Sequence, residues 1–289
     1  MTGVTSMEAR HLAFPDLVWS HFSRPRFGDF EGRVAAAASA GMAGIGLYVF
    51  EYARLRDEEG RSPADVRAVL DRHGVVLADA EVIRGWWAAT GEHRDQSQRI
   101  EALAWEMADE FGIRYLQAIG PYECSLEQAA DGFGGLCDRA AEHGVLVGIE
   151  PLPYTNIASA ADAQQIVLAA GRANGGYCVD IWHHARGAND LDMIIALEPE
   201  RVFAIQMNDG AVRPALDDYK IDCLANRVPP GQGEFDCVGF IRTLVDMGVT
   251  APISLEVCST DLWDASPDVA ARAAVEGMRD VLREAGITP

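Results

Sequence analysis

Eight short apolar runs recur along the chain, at 17–19, 44–49, 75–80, 115–119, 145–150, 177–181, 202–207 and 252–257. They are apolar almost throughout instead of alternating, the pattern of parallel strands covered on both faces. The stretches between them space their apolar residues helically. Residues 96–111 place Ile100, Leu103, Ala104, Met107 and Phe111 three or four positions apart and stop at Gly112. An alanine-rich stretch, 30–40, ends at Gly41, and Ser62 with Pro63 opens a helix that runs to Gly74. Further helices are expected over 125–143, 159–173, 190–197, 235–247 and 266–285.

Eight strand–helix units with no proline- or serine-rich linker predict one (β/α)8 TIM barrel over 1–289, with 1–12 as a flexible N-terminal extension. An open doubly wound sheet is the competing architecture, but no GxGxxG turn follows the first strand. The two longest insertions, 52–61 and 211–234, both follow carboxyl ends of strands, where a barrel keeps its chemistry.

The pattern changes at those carboxyl ends. VGIEPLP puts Glu150 at the end of strand five, and CVDIWHH puts Asp180 at the end of strand six with His183 three residues on. FAIQMNDG puts Gln206 at the end of strand seven, and SLEVCS puts Glu256 at the end of strand eight. Carboxylates on buried strands are costly unless paired or bound to a cation, and three converging would raise one another's pKa. A shared divalent ion resolves the conflict, and hard oxygen donors favour Mn²⁺ or Mg²⁺.

The motifs VGIEPLP, YCVDIWHHAR, VFAIQMNDG, VPPGQGEFD and ISLEVCS resemble the xylose isomerase-like TIM barrels, which include sugar phosphate isomerases and epimerases. The resemblance extends over nearly the whole chain and is strongest over 145–259. It implies that Glu150, Asp180, Gln206 and Glu256 hold one divalent metal. It also implies that Glu150 and Glu256 move a proton beside the substrate carbonyl, and that His183 contacts substrate. Epimerases of the family usually have histidine at the place of Gln206. Glutamine there is similar to the 3-dehydroshikimate dehydratase branch, so the reaction type stays open.

A metal that binds a carbonyl and its neighbouring hydroxyl stabilises the enediolate left when a proton departs, and two carboxylates can remove and return that proton. Return to the opposite face epimerises, return to the adjacent carbon isomerises, and loss of a β-hydroxyl dehydrates. The expected activity is metal-dependent isomerisation or epimerisation of a keto-sugar or related polyol. The alternative is a lyase acting on a cyclic keto-polyol of the dehydroshikimate or inosose type, or an eliminase of an oxidised glycoside. Arg227, in the long insertion after strand seven, is the candidate cation for substrate, with Arg213 its competitor. Glu81 is placed to meet a substrate hydroxyl. Trp87 lines either the pocket or, like Trp86, the core or an oligomer contact.

Composition bounds the partners. A net charge of −20 repels nucleic acid and anionic lipid, so neither is an expected partner. Metal-dependent AP endonucleases share the fold but lean on many histidines and basic surfaces, whereas this chain has seven histidines. The six cysteines have no CxxC spacing and read as reduced thiols of a cytoplasmic protein. The N-terminus shows no secretory signal, and no apolar stretch approaches the roughly 20 residues of a membrane span. The family resemblance also implies a capacity to pair or tetramerise.

Overall fold

The computed structural model describes residues 11–25 and 29–288. Strands β1 (Leu17–Trp19), β2 (Gly44–Tyr48), β3 (Val76–Ile83), β4 (Tyr115–Ile119), β5 (Leu146–Glu150), β6 (Gly175–Asp180), β7 (Val202–Met207) and β8 (Ile253–Leu255) close into one barrel in sequence order. Every pairing is parallel, and β8 returns to β1 through Leu17 opposite Ile253. The expected (β/α)8 architecture is therefore present. Of the expected N-terminal extension, only His11 and Leu12 fall among the described residues.

The outer layer is formed by α1 (Phe30–Ala40), α2 (Val49–Asp57), α3 (Pro63–His73), α4 (Glu92–Phe111), α5 (Leu126–Ala141), α6 (Ala160–Ala170), α7 (Ile181–Ala185), α8 (Leu191–Ile195), α9 (Tyr219–Ala225), α10 (Cys237–Met247), α11 (Thr260–Trp263) and α12 (Pro267–Glu284). Side-chain caps mark several starts: Ser62, Ser125 and Ser159 each form a reciprocal capping box. Both expected insertions contain helix. The α2 helix follows Tyr48 with no side-chain cap, and it is held by burial of Val49, Tyr52 and Leu55. The α9 helix starts at Asp218, whose carboxylate accepts from the N–H groups of Lys220 and Ile221.

The register sets the level of the site. Ile119 pairs with Glu150, Asp180 with Gln206, and Gln206 with Ser254. Glu256 lies just past β8, and its N–H still donates to Met207 O (3.1 Å), which extends the ladder. Among the buried polar residues on the strands are Asp79, Glu81 and Gln117. A Cβ on Gly46 would lie 2.2 Å from Glu81 Oε1 and 2.4 Å from Asp79 Oδ1, so only glycine leaves room for that carboxyl pair. Strand β3 is longer than expected and carries both acids within it.

Candidate metal and substrate site

Glu150 ends β5 and is buried. Its Oε2 accepts from Gln117 Nε2 (2.6 Å), while Oε1 has no hydrogen-bond partner and stands 3.5 Å from His183 Nε2. Asp180 ends β6 and caps α7, its Oδ1 accepting from Trp182 N (2.8 Å) and Asn208 Nδ2 (2.9 Å). The single turn of α7 brings His183 back over Asp180, with Nε2 3.6 Å from Oδ2. One ligand atom from each of Glu150, Asp180 and His183 lies within 4.8 Å of the others.

Gln206 and Glu256 are bonded to each other and adjoin this trio through Arg227, which binds both Asp180 and Glu256. Glu256 Oε1 accepts from Ser20 Oγ (3.1 Å) and Gln206 Nε2 (3.1 Å). Gln206 thus turns its nitrogen to Glu256 and to Gln117 Oε1, and its Oε1 accepts from the Cys178 thiol (3.3 Å). A half-turn of the carboxamide exchanges the two atoms and would present the oxygen.

Arg227 links the halves. It is 2% exposed, and its Nη1 donates to Asp180 Oδ2 and Glu256 Oε2, both at 2.9 Å. Its guanidinium lies over the Trp182 ring, 5.4 Å from the centroid. The insertion that carries it is fastened at its base. Asp209 accepts from the N–H groups of Gly210, Gly233 and Phe235, Asp209 pairs with Val228, and Arg227 N donates to Cys258 O. Residues 211–218, between these fastenings, are exposed. Arg213 falls in that exposed stretch, so of the two arginines only Arg227 reaches the cluster.

The electrostatics separate the acids. Burial, then the neighbouring Glu256 and Asp180 carboxylates, push Glu150 well above the ordinary carboxyl range. Burial likewise raises Glu256 to about 8, against the pull of Arg227. Asp180 goes the other way: burial alone would raise it, but Arg227, His183, Asn208 and the Trp182 N–H outweigh burial and keep it ionised. Burial holds His183 down at about 4, so it is neutral. Its Nδ1 meets Tyr219 OH of α9 at 2.9 Å.

A divalent cation fits this donor set. Three buried carboxyls face a single guanidinium, and Glu150 Oε1 lacks any partner although it is turned toward His183 and Asp180. A buried orphaned oxygen in a ring of acids is what a hard cation would satisfy.

Glu81 and Trp87 sit apart from that ring. Glu81 is 1% exposed and accepts from Ser20 Oγ (3.2 Å) and His21 N (3.1 Å), so its contact with Glu256 runs through Ser20. Trp87 packs beside Gly132 of α5 and His93, in a groove with Thr90, Cys124 and Gln128 that neither Gln206 nor any of the three acids Glu150, Asp180 and Glu256 lines. Trp86 is core, its Nε1 bonded to Ile119 O. His184 packs on Phe240, outside the ring. Sequence reasoning passed over Gln117, Ser20 and Tyr219. An amide amid the apolar run YLQAI, on a strand whose neighbours end in acids, was the available signal for Gln117.

The fold and the strand-end acids define a xylose isomerase-like TIM barrel. That family's model matches residues 34–284, and the chain belongs to the family. Among its relatives, the 3-dehydroshikimate dehydratase of Pseudomonas aeruginosa is 28% identical over 261 residues, which is 88% of this chain and 40% of that protein. The inosose isomerase of Bacillus licheniformis is 28% identical over 152 residues, 51% of this chain and 52% of the isomerase. The chain thus spans about half or less of the length of these curated relatives. A crystal structure of IolI protein with a bound zinc atom shares the fold at a TM-score of 0.83 and 17% identity, covering 93% of this chain and 98% of that one. The relatives are enzymes, isomerases on one side and dehydratases on the other.

Proposed function

We propose that the protein is a divalent-cation-dependent isomerase or epimerase of a small keto-polyol, working by proton transfer beside the carbonyl. The observation that supports this best is geometric. Of Glu150, Asp180, Gln206 and Glu256, at four successive strand ends, Glu150 and Asp180 each bring an oxygen within 4.8 Å of the other and of His183, Glu256 shares Arg227 with Asp180, Gln206 bonds Glu256, and Glu150 keeps an oxygen free of any hydrogen bond. These four residues would hold the ion, which when bound would act as a Lewis acid on the substrate carbonyl.

Glu150 and Glu256 divide the proton work. Burial raises the proton affinity of each, and their neighbours differ: Glu150 Oε1 stands beside His183, whereas Glu256 is paired with Arg227. One takes the proton beside the carbonyl and the other returns one. Asp180 stays anionic and holds Arg227 in place. Arg227 and neutral His183 orient the substrate's oxygens, with Tyr219 fixing the imidazole from behind. The burial of the ring excludes water, which strengthens each of these contacts.

The names of the curated relatives point to cyclic keto-polyols as the substrate class. A second reading, dehydration of such a ring, is favoured by glutamine at position 206 and by the dehydratase relative that spans 88% of the chain. Both begin with the same proton abstraction. Mn²⁺-loaded protein incubated with ketohexoses, inososes and dehydroshikimate in D₂O distinguishes them by NMR. Deuterium beside a carbonyl with the hydroxyl retained supports isomerisation or epimerisation. An alkene product establishes the lyase, and no exchange with any ketone tested removes the proposal.

A further inference from the structure

Gln117 sits mid-strand in β4 between Leu116 and Ala118, both fully buried, and is itself 3% exposed. A carboxamide in such a place costs stability unless its hydrogen-bonding groups are matched. Its Nε2 donates to Glu150 Oε2 at 2.6 Å, and its Oε1 accepts from Gln206 Nε2 at 3.3 Å. In register it faces Gly148, two residues before Glu150, so no side chain on β5 competes for that space. The amide therefore reaches from β4 to the ends of both β5 and β7.

The polarity of this chain of amides is determined. Gln117 turns its nitrogen to Glu150 Oε2, which leaves its oxygen for the Gln206 nitrogen. Holding Oε2 decides which oxygen of Glu150 faces inward. The other oxygen, Oε1, is the one left without a partner and turned toward His183 and Asp180.

We infer that Gln117 is a positioning residue for this site: it locks the Glu150 carboxylate so that Oε1 is presented to the cation and to the reacting proton. The inference rests on the cation-dependent reading above. Partners that orient a ligand typically change metal affinity ten- to a hundredfold when removed.

The test uses the full chain with Gln117→Met, which keeps the volume and removes both hydrogen bonds. Mn²⁺ affinity is measured by calorimetry, ligand geometry by the visible spectrum of the Co²⁺-loaded protein, and folding by the melting temperature without metal. The expected result is a melting temperature near the parent's, an Mn²⁺ Kd raised at least about tenfold, and an altered Co²⁺ spectrum. With a turned-over substrate in hand, kcat should fall more than KM rises. An unchanged Kd and spectrum with only a lowered melting temperature would mean a structural role and overturn the inference alone. A parent protein that binds no Mn²⁺ overturns it together with the cation-dependent reading. Should Gln117→Met fail to fold, Gln117→Asn decides. It keeps the amide one methylene short, so a weaker Kd supports the inference and a parental Kd refutes it.

Discussion

Gln206 shows what one side chain does when an apolar run ends in polar chemistry. Its nitrogen serves Glu256 and Gln117, Asn208 holds Asp180, and Asp209 gathers three loop N–H groups, so each polar residue of that stretch has its own task. Because an amide oxygen is harder than an imidazole nitrogen, Gln206→His should keep a metal site and raise Zn²⁺ affinity relative to Mn²⁺. Gln206→Leu should weaken every divalent ion, and parental Mn²⁺ binding in a titration of that variant would contradict a ligand role. At this scale the strand-end residues were legible, since Glu150, Asp180, Gln206 and Glu256 are the polar breaks in otherwise apolar runs. Gln117 and Ser20 were not, because which partner a mid-strand amide or hydroxyl meets depends on strands distant in sequence. Trp87 misled because paired tryptophans carry the same signal in a pocket wall as in a groove between helices.

Among the elements, β3 departs furthest from its sequence pattern. The expected run stopped at Ala80, but the strand continues to Ile83 and carries Asp79 and Glu81 into the barrel, where both carboxyls crowd the space at Gly46. Two buried carboxyls this close favour a shared proton. Burial raises Asp79 to about 7 and Glu81 well above the ordinary range, with Arg33 opposing both. An acid with a raised folded-state pKa binds its proton more tightly when folded. Its contribution is complete below the unfolded pKa near 4 and is lost as pH rises through 7. Asp79→Asn is neutral at every pH and can still donate to Glu81. Its stability relative to the parent should therefore increase between pH 5 and pH 8, by on the order of 2 kcal/mol. Urea denaturation at both pH values checks this, and a pH-independent difference would refute it. The helices were legible where a serine cap or a closing glycine marks them. The α2 and α9 helices were hidden because one lacks a side-chain cap and the other begins inside a polar stretch.

Across the whole molecule, the eight-unit rhythm determined the closed barrel, and the acids fell at one rim because parallel strands all end on the same side. No helix among the described residues is long and apolar enough to cross a membrane. The insertion after β7 is fastened to the rim through Asp209, Tyr219, Asp222, Val228 and Arg227, while residues 211–218 are exposed. Lengthening a flexible loop costs little, roughly 0.6 kcal/mol for each doubling. A protease site flanked by glycine and serine, inserted between Arg213 and Pro214, should leave Mn²⁺ binding and melting temperature near parental values. Cleavage there should leave the two pieces joined until denaturant is added, and loss of Mn²⁺ binding on cleavage would refute this. The arginine that pairs with Asp180 and Glu256 would then survive a severed backbone. Circular permutation could thus give the chain new ends close to the rim that carries Asp180 and Glu256, which would make that rim a place to graft a tether, a dye or a second enzyme.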